Sequence, residues 1–170
     1  MPVTLHGSCH CGAVSFTVES NTPVPYQLCV CSICRKVGGV GGSINLNAIE
    51  KTLKIKGKEN ITKYTPVVNR GTKDEYKASS ERNFCKKCSA MLWLWDPHWP
   101  EYLHPFASAI DDELEDPKEL VVVKLDSKPS WVRLPEGTRK DNEGYNVNPK
   151  DPEDYISIEQ WHKDNGKWVD

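Results

Sequence analysis

Seven cysteines fall in three tight groups, Cys9-His10-Cys11, Cys29-Val30-Cys31-Ser32-Ile33-Cys34 and Cys85-Lys86-Lys87-Cys88, and no other feature restricts the fold as strongly. Thiols that recur two or three residues apart at separate places point to a common partner that wants several sulfurs at once. A soft divalent ion is such a partner, zinc above all, held by thiolates at about 2.3 Å. Disulfides are the competing use. Seven is odd, so pairing leaves at least one thiol over. A bridge across Cys9-x-Cys11 would also close a small, strained ring. Met1 to Ser8 shows neither the basic start nor the apolar core of a secretion signal. The longest apolar runs, Met91 to Trp95 and Leu120 to Val123, are far too short to span a bilayer. The chain is therefore expected in a reducing compartment, the cytoplasm with the nucleus as an alternative, where such spacings favour metal over disulfide.

At 170 residues the chain fits one domain with room for a core. A formal net charge of -2 gives no global pull toward nucleic acid or a membrane surface. The lysines between Lys51 and Lys63 follow an alternating pattern, as on a solvated strand face. Most local patterns are those of strands. Ala13 to Val18 alternates small or polar with apolar residues. Asn45 to Ile49 and Thr52 to Tyr64 continue in that style, the second broken at Gly57-Lys58-Glu59-Asn60 into an expected hairpin. Glu75 to Phe84 leads into the last cysteine pair, Met91 to Trp95 leaves it, and Leu120 to Leu125 is a further β-branched run. Helix is expected around Cys31 to Val37 and at the end of the chain. There Ser157-Ile158-Glu159-Gln160 fits a capping box, and the helix should run from Ser157 to Lys163 and stop near Asn165-Gly166. Pro129 to Pro152 is rich in Pro, Gly, Asn and charge, and reads as an extended arm anchored by Trp131, Leu134 and Tyr145. The expectation is a zinc-binding domain over residues 1–128, with an arm and short helix over 129–170 packed on it.

Residues i and i+2 of an extended segment point to one face, so Cys9 and Cys11 can aim at one ion. Cys85-x-x-Cys88 turns two sulfurs inward through a tight turn. Together these pairs supply four thiolates, a closed tetrahedron that would couple ion binding to folding. Cys29, Cys31 and Cys34 lie close enough to converge unaided, and three protein ligands with one exchangeable position is the pattern of a catalytic zinc. Other divisions fit the spacing too, such as Cys9, Cys11, Cys29 and Cys31 together. The competing reading is a fourth ligand from His6, His10, His98, His104 or a carboxylate, which would make the trio a structural site; the four-plus-three division is the simplest.

Three segments carry a resemblance: Gly7-Ser8-Cys9-His10-Cys11-Gly12-Ala13-Val14, Cys29-x-Cys31-x-x-Cys34-Arg35-Lys36 and Asn83-Phe84-Cys85-x-x-Cys88. They resemble the glutathione-dependent formaldehyde-activating enzyme family, also named for its centromere protein V members, with all the cysteines in order. The tail, with Pro129-Ser130-Trp131-Val132 and Ser157-Ile158-x-x-Trp161-His162, is similar to extensions of fungal members. The resemblance implies a mainly β fold, a β-tent of twisted antiparallel sheets organised around zinc, with a short C-terminal helix. It implies a structural ion on Cys9, Cys11, Cys85 and Cys88, and a second, labile ion on Cys29, Cys31 and Cys34 at the active site. Two positions depart from the pattern. Val30 stands where members often carry His, and Ser89 where Gly is frequent. Val30 brings neither a hydrogen bond nor a proton to the metal.

The family's activity adds the glutathione thiol to formaldehyde, giving S-(hydroxymethyl)glutathione. A three-thiolate zinc suits this, because a fourth sulfur binds as thiolate at neutral pH and stays nucleophilic toward a small aldehyde. Glutathione, the expected co-substrate, carries two carboxylates, for which Arg35 and Lys36 are the candidate contacts. Gly38-Gly39-Val40-Gly41-Gly42 allows close approach of a ligand, with Gly38 and Gly39 as candidate contacts, and lacks the Gly-Lys-Ser/Thr ending of a phosphate loop. Lys86 and Lys87 soften the charge of the four-thiolate site. Trp93 and Trp95 share a strand face as core, with an aromatic substrate wall as the second reading. The expected function is a zinc-dependent carbon–sulfur lyase, S-(hydroxymethyl)glutathione synthase-like, acting on glutathione or a similar small thiol conjugate. The protein is expected to be a monomer or homodimer, with neither nucleic acid nor membrane as partner. Two readings stand beside it. One is a noncatalytic zinc scaffold for protein or chromatin, although no arginine-rich block is present to grip DNA. The other is a thiol-based metal buffer or redox sensor.

Overall fold

The computed structural model describes residues 1–136, 138–140 and 157–170. Alternation at period two makes the first strands, β1 (Val3–Ser8) and β2 (Ser15–Ser20), which pair antiparallel from Val3↔Ser20 to Ser8↔Ser15. Leu5, Phe16 and Val18 are their buried face. β3 (Gln27–Cys29) then leads into helix α1 (Ser32–Gly38). β4 (Ser43–Ile44), β5 (Ala48–Ile49), β6 (Lys54–Lys56), β7 (Ile61–Tyr64), β8 (Val67–Val68) and β9 (Tyr76–Lys77) follow. β10 (Glu81–Cys85), β11 (Met91–Trp95), β12 (Tyr102–Pro105), β13 (Val121–Val123), β14 (Arg139–Lys140) and helix α2 (Ile158–Asp164) complete the order.

The fold is mainly β, as expected. Two sheets, β1-β2-β6 and β5-β12-β11-β10-β7, are antiparallel throughout. A third, β14-β13-β3-β4, is mixed, because β13 runs parallel to both β3 and β14. Parallel pairing needs a long return of the chain, and β13 comes back to β3 only after the whole five-stranded sheet has been laid down. β8 and β9 form a separate small ladder.

The main core joins Leu5, Val14, Phe16, Leu92, Trp93, Leu103 and Phe106, and it includes Cys9 and Cys85. Trp93 meets Phe16 edge to face with ring centroids 5.1 Å apart, a geometry worth about 1 kcal/mol beyond the area buried. A second cluster gathers Val24, Tyr26, Val121, Val123 and Trp161 around Cys29 and Cys34. Each cysteine group is therefore anchored in its own patch of packed side chains.

The hairpin expected across Gly57–Asn60 does not form. β6 pairs with β2 whereas β7 pairs with β10, so the segment crosses from one sheet to another. Gly57 sits at φ 75°, and a Cβ there would lie 1.9 Å from the carbonyl oxygen of Ala13. Asn60 then fastens the crossing at both ends. Its side-chain amide donates to the Ala13 carbonyl (3.2 Å), and its own carbonyl accepts from the Lys86 N–H (2.9 Å). The turns that carry the first and last cysteine pairs are held in place through this one residue.

At the C-terminus, Ser157 Oγ accepts from the Gln160 N–H at 3.0 Å, which caps α2 as the sequence predicts. The reciprocal half of the capping box is not used. The Gln160 side chain reaches forward to Asp164 at 2.7 Å instead. Trp161 stacks on Tyr26, with centroids 3.7 Å apart and the planes 4° from parallel. His162, fully buried, accepts from the Val24 N–H through Nε2 (3.1 Å) and donates from Nδ1 to the Ile158 carbonyl (2.7 Å). Of the residues expected to anchor the arm, Leu134 is half-buried, Trp131 is exposed, and Tyr145 lies outside the described residues. Val132 does the anchoring beside Trp131, because it packs directly over Gly41. No helix among the described residues is long and apolar enough to cross a membrane.

Candidate metal centres and the adjoining cleft

Two turns, each closed by an N–H of its first cysteine to the carbonyl five residues on, present the first and last cysteine pairs. In one, Cys9 N–H donates to the Val14 carbonyl (3.0 Å), Gly12 N–H to the Cys9 carbonyl (2.9 Å) and Val14 N–H to Cys9 Sγ (3.2 Å). In the other, Cys85 N–H donates to the Ala90 carbonyl (3.0 Å), Ser89 N–H to the Cys85 carbonyl (2.8 Å) and Lys87 N–H to Cys85 Sγ (3.4 Å). Each turn passes through one left-handed residue, Gly12 at φ 72° and Ser89 at φ 63°. That geometry suits glycine at position 89. Serine takes it at a cost of about 1–2 kcal/mol.

The sulfurs of Cys9, Cys11, Cys85 and Cys88 lie within 4.8 Å of one another. Cys9 and Cys11 are separated by 3.6 Å and Cys11 and Cys85 by 3.8 Å. A tetrahedron of sulfurs about 2.3 Å from its centre has edges of about 3.8 Å. The donor set thus fits a thiolate-bound ion in both chemistry and spacing. Backbone N–H groups of Ala90 and Cys11 hold the Cys88 thiol down to about 6. Cys11 gains an N–H from Ala13, yet desolvation and the neighbouring thiols push it up to about 11. Hydrogen bonds likewise lower Cys9 against its desolvation, and the negative charge that accumulates as thiols of this cluster ionise is what a cation would offset.

Cys29 ends β3, Cys31 is the N-cap of α1 with its sulfur accepting from the Cys34 N–H (3.4 Å), and Cys34 lies in the first turn. These three sulfurs also fall within 4.8 Å of one another. Hydrogen bonds from the thiols of Cys29 and Cys34 hold Cys31 well below an ordinary thiol. The bonds to Cys31 and Cys34, followed by burial, push Cys29 far up. Cys34 gains from Cys29, and ends raised through its bond to Cys31 and its burial. The three thiols pull one another in opposite directions, and a cation held between them would favour the deprotonated form of all three.

The four-cysteine cluster brings four sulfurs together with Cys11 exposed at the surface, whereas the trio opens on a cleft of about 380 Å³. The five-stranded sheet supplies a wall of this cleft. Arg82 on β10 is directly opposite Leu94 on β11, which is directly opposite His104 on β12, so the three form one row across the sheet. His104 Nδ1 donates to the Leu46 carbonyl (3.2 Å), leaving Nε2 as an acceptor, and burial pushes the ring's pKa down to about 4. Asp96 accepts from Ser79 Oγ (2.7 Å), the His98 N–H (3.0 Å) and His98 Nδ1 (2.7 Å), bonds that outweigh its desolvation and keep it ionised. Arg82 is 5% exposed, and its Nε and Nη1 have no hydrogen-bond partner.

The sulfurs themselves divide four and three, and among the described residues neither a histidine, His6, His10, His98 and His104 included, nor a carboxylate belongs to either group. Among these histidines, His104 reaches the cleft, whereas His6 pairs with Asp112 at 3.1 Å. Arg35, Lys36, Gly38 and Gly39 are not among the residues that line it. Arg35 is half-buried, and Lys36, Gly38 and Gly39 are exposed. The glycine run has a packing role further on: a Cβ at Gly42 would lie 2.5 Å from the Cys29 carbonyl oxygen, so only glycine lets this loop close on β3. Trp93 is core, as expected, and Trp95 is half-buried. Both border a second cleft, of about 600 Å³, on the other face of the sheet. Arg82, Asp96 and His104 are the cleft residues that pattern reading missed as a set. The available signal was the unbroken polar run Ser79 to Asn83 leading into Cys85; the register that aligns Arg82 with His104 is a property of the folded sheet.

Comparison with known proteins agrees with this geometry. The family model described as "Glutathione-dependent formaldehyde-activating enzyme" matches residues 4–122. A Halomonas elongata protein bearing the name "Putative glutathione-dependent formaldehyde-activating enzyme" is 44% identical over 161 residues, spanning 93% of this chain and 94% of its own. A crystal structure of a Rhodobacter sphaeroides protein is similar with a TM-score of 0.51 at 26% identity, covering 67% of this chain and 93% of that one. Cysteine spacing, sulfur grouping and the extent of these matches all lead to one assignment: the chain belongs to the glutathione-dependent formaldehyde-activating enzyme family.

Proposed function

We propose that Cys29, Cys31 and Cys34 hold a zinc ion at which a small thiol, glutathione or a similar conjugate, adds to formaldehyde. This is a carbon–sulfur lyase reaction of the S-(hydroxymethyl)glutathione synthase type. A second zinc, on Cys9, Cys11, Cys85 and Cys88, is structural. In this reading residues 1–128 form the zinc-binding domain and the described parts of 129–170, Val132 and helix α2 among them, pack on it, and the protein works in the cytoplasm on small molecules. The observation that carries the proposal is the contrast between the two clusters: four sulfurs that close on themselves, and three that open on a cleft.

Zinc held by three thiolates supplies a position where a thiol binds as thiolate near neutral pH. Forming the adduct makes one carbon–sulfur bond, moves the carbonyl pair onto oxygen, and transfers the thiol proton to that oxygen. His104, neutral at pH 7 with Nε2 as acceptor, is the group that can hold the adduct's hydroxyl hydrogen.

The test is Cys31→Ala. It should keep the fold and one zinc while the formaldehyde–glutathione exchange rate, followed by NMR, falls to the uncatalysed value. A variant that unfolds globally, or one that still accelerates exchange, contradicts the proposal.

A further inference from the structure

Arg82 is a cation without an anion. Its guanidinium is inside the fold at 5% exposure, Nε and Nη1 meet no acceptor, and no carboxylate among the described residues pairs with it. Burying an unpaired charge is strongly unfavourable, so something must offset it. The acidic residues of the cleft do not. Asp96 is engaged by Ser79 and His98, and Asp126 is exposed. His104, next but one to Arg82 in the row across the sheet, is neutral. What remains in the cleft is the sulfur trio, since Cys29, Cys31 and Cys34 line it together with Arg82.

Three thiolates around a divalent ion leave an excess of negative charge, and an incoming thiolate adds to it. We propose that Arg82 is the counter-ion of the three-cysteine centre, offsetting that excess so that the site keeps its ion and admits a thiol in its anionic form. The inference rests on the reading above that the trio holds an ion, and it makes Arg82 a positioning residue that acts through the sulfurs. It also narrows the ligand class. A centre with this fixed counter-charge prefers ligands that arrive as anions, thiolates first, over water or an alcohol. A direct contact with a substrate carboxylate fits less well, because Nε and Nη1 are covered by protein while a charge acts at a distance.

Cobalt(II)-loaded full-length protein tests this, since sulfur-to-cobalt absorption reports how many thiolates bind the ion. Wild type, Arg82→Lys and Arg82→Met are each titrated with cobalt, then with glutathione and with 2-mercaptoethanol, a thiol without a carboxylate. Arg82→Met should weaken ion binding at the trio by about 10–100-fold, the usual range for a residue just behind the ligands. It should weaken both thiols alike. Carrying only the four-cysteine ion, Arg82→Met should melt no lower than wild type, because an apolar chain of similar length replaces an unpaired buried charge. Arg82→Lys should stay within a few-fold of wild type.

Unchanged ion and thiol affinities in Arg82→Met overturn the inference. So does a loss confined to glutathione, which would make Arg82 a carboxylate contact, and so does an Arg82→Lys variant as impaired as Arg82→Met. A single-ion Arg82→Met chain that melts lower than wild type assigns a purely structural role and overturns it as well. Wild-type protein that takes up only one ion overturns the proposed function together with this inference, and the wild-type titration alone identifies that case.

Discussion

At the scale of single residues, orientation decides what each position contributes. Val30 lies between two ligand cysteines and is fully buried, with its N–H donating to the Val123 carbonyl at 3.2 Å. Alternation along Cys29-Val30-Cys31 turns it away from the face that its neighbours share. Position 30 here is therefore core, and the trio's chemistry does not depend on it. Cys88 carries a different weight. It closes the cluster that joins the turn after β1 to the turn after β10, so Cys88→Ala should remove that ion and destabilise the whole chain. Thermal unfolding of Cys88→Ala should show a lowering by about 6–12 degrees, what a loss of about 3 kcal/mol produces in a chain of this size. A variant that melts normally would count against a structural role for that cluster.

At the scale of elements, the joints are more informative than the strands. Gly57 and Asn60 make the crossing that ties both turns of the four-cysteine cluster together. Gly57→Ala should cost about 2–3 kcal/mol, from a left-handed backbone and a Cβ forced onto the Ala13 carbonyl. Chemical denaturation would measure it, and a cost below half of that would show that the crossing relaxes. Helix α2 is held by His162, whose neutral ring accepts from Val24 and donates to Ile158. Burial lowers its pKa below the ordinary value of about 6.5. The unfolded chain therefore binds the proton more readily, and stability present above about pH 6.5 is lost as the pH falls below it. Unfolding measured from pH 7.5 to 5.5 should decline more steeply for wild type than for His162→Gln. Equal slopes would remove His162 from the account. The sequence signals for these elements were uneven. Ser157 announced the start of α2, and Met91 to Trp95 announced β11 outright. The Gly57 break looked like a hairpin because a turn residue marks a reversal of direction, and says nothing about which sheet the chain enters next.

At the scale of the whole molecule, the two thiol clusters sit in two separate packed patches, one under each. That arrangement separates holding the fold from exposing a reactive position. Cysteine spacing made the clusters legible before any coordinates, and it left their division open, since sulfurs distant in sequence meet only through the sheets. The cleft was less legible still. Arg82, Leu94 and His104 come from three strands, and their common row exists only once the register of the five-stranded sheet is set. Arg35 and Lys36 looked suited to a substrate because they follow the ligands directly. Adjacency in sequence is a poor guide once a helix turns successive side chains by about 100° each. The central claim is that one cluster is closed and the other open. Its most direct test is the metal-to-protein ratio of purified chain, before and after a mild chelator, with glutathione binding measured on both samples. The account predicts two ions per chain, one of them removed by the chelator together with glutathione binding; two equally inert ions, or glutathione binding that survives the loss of an ion, would contradict it.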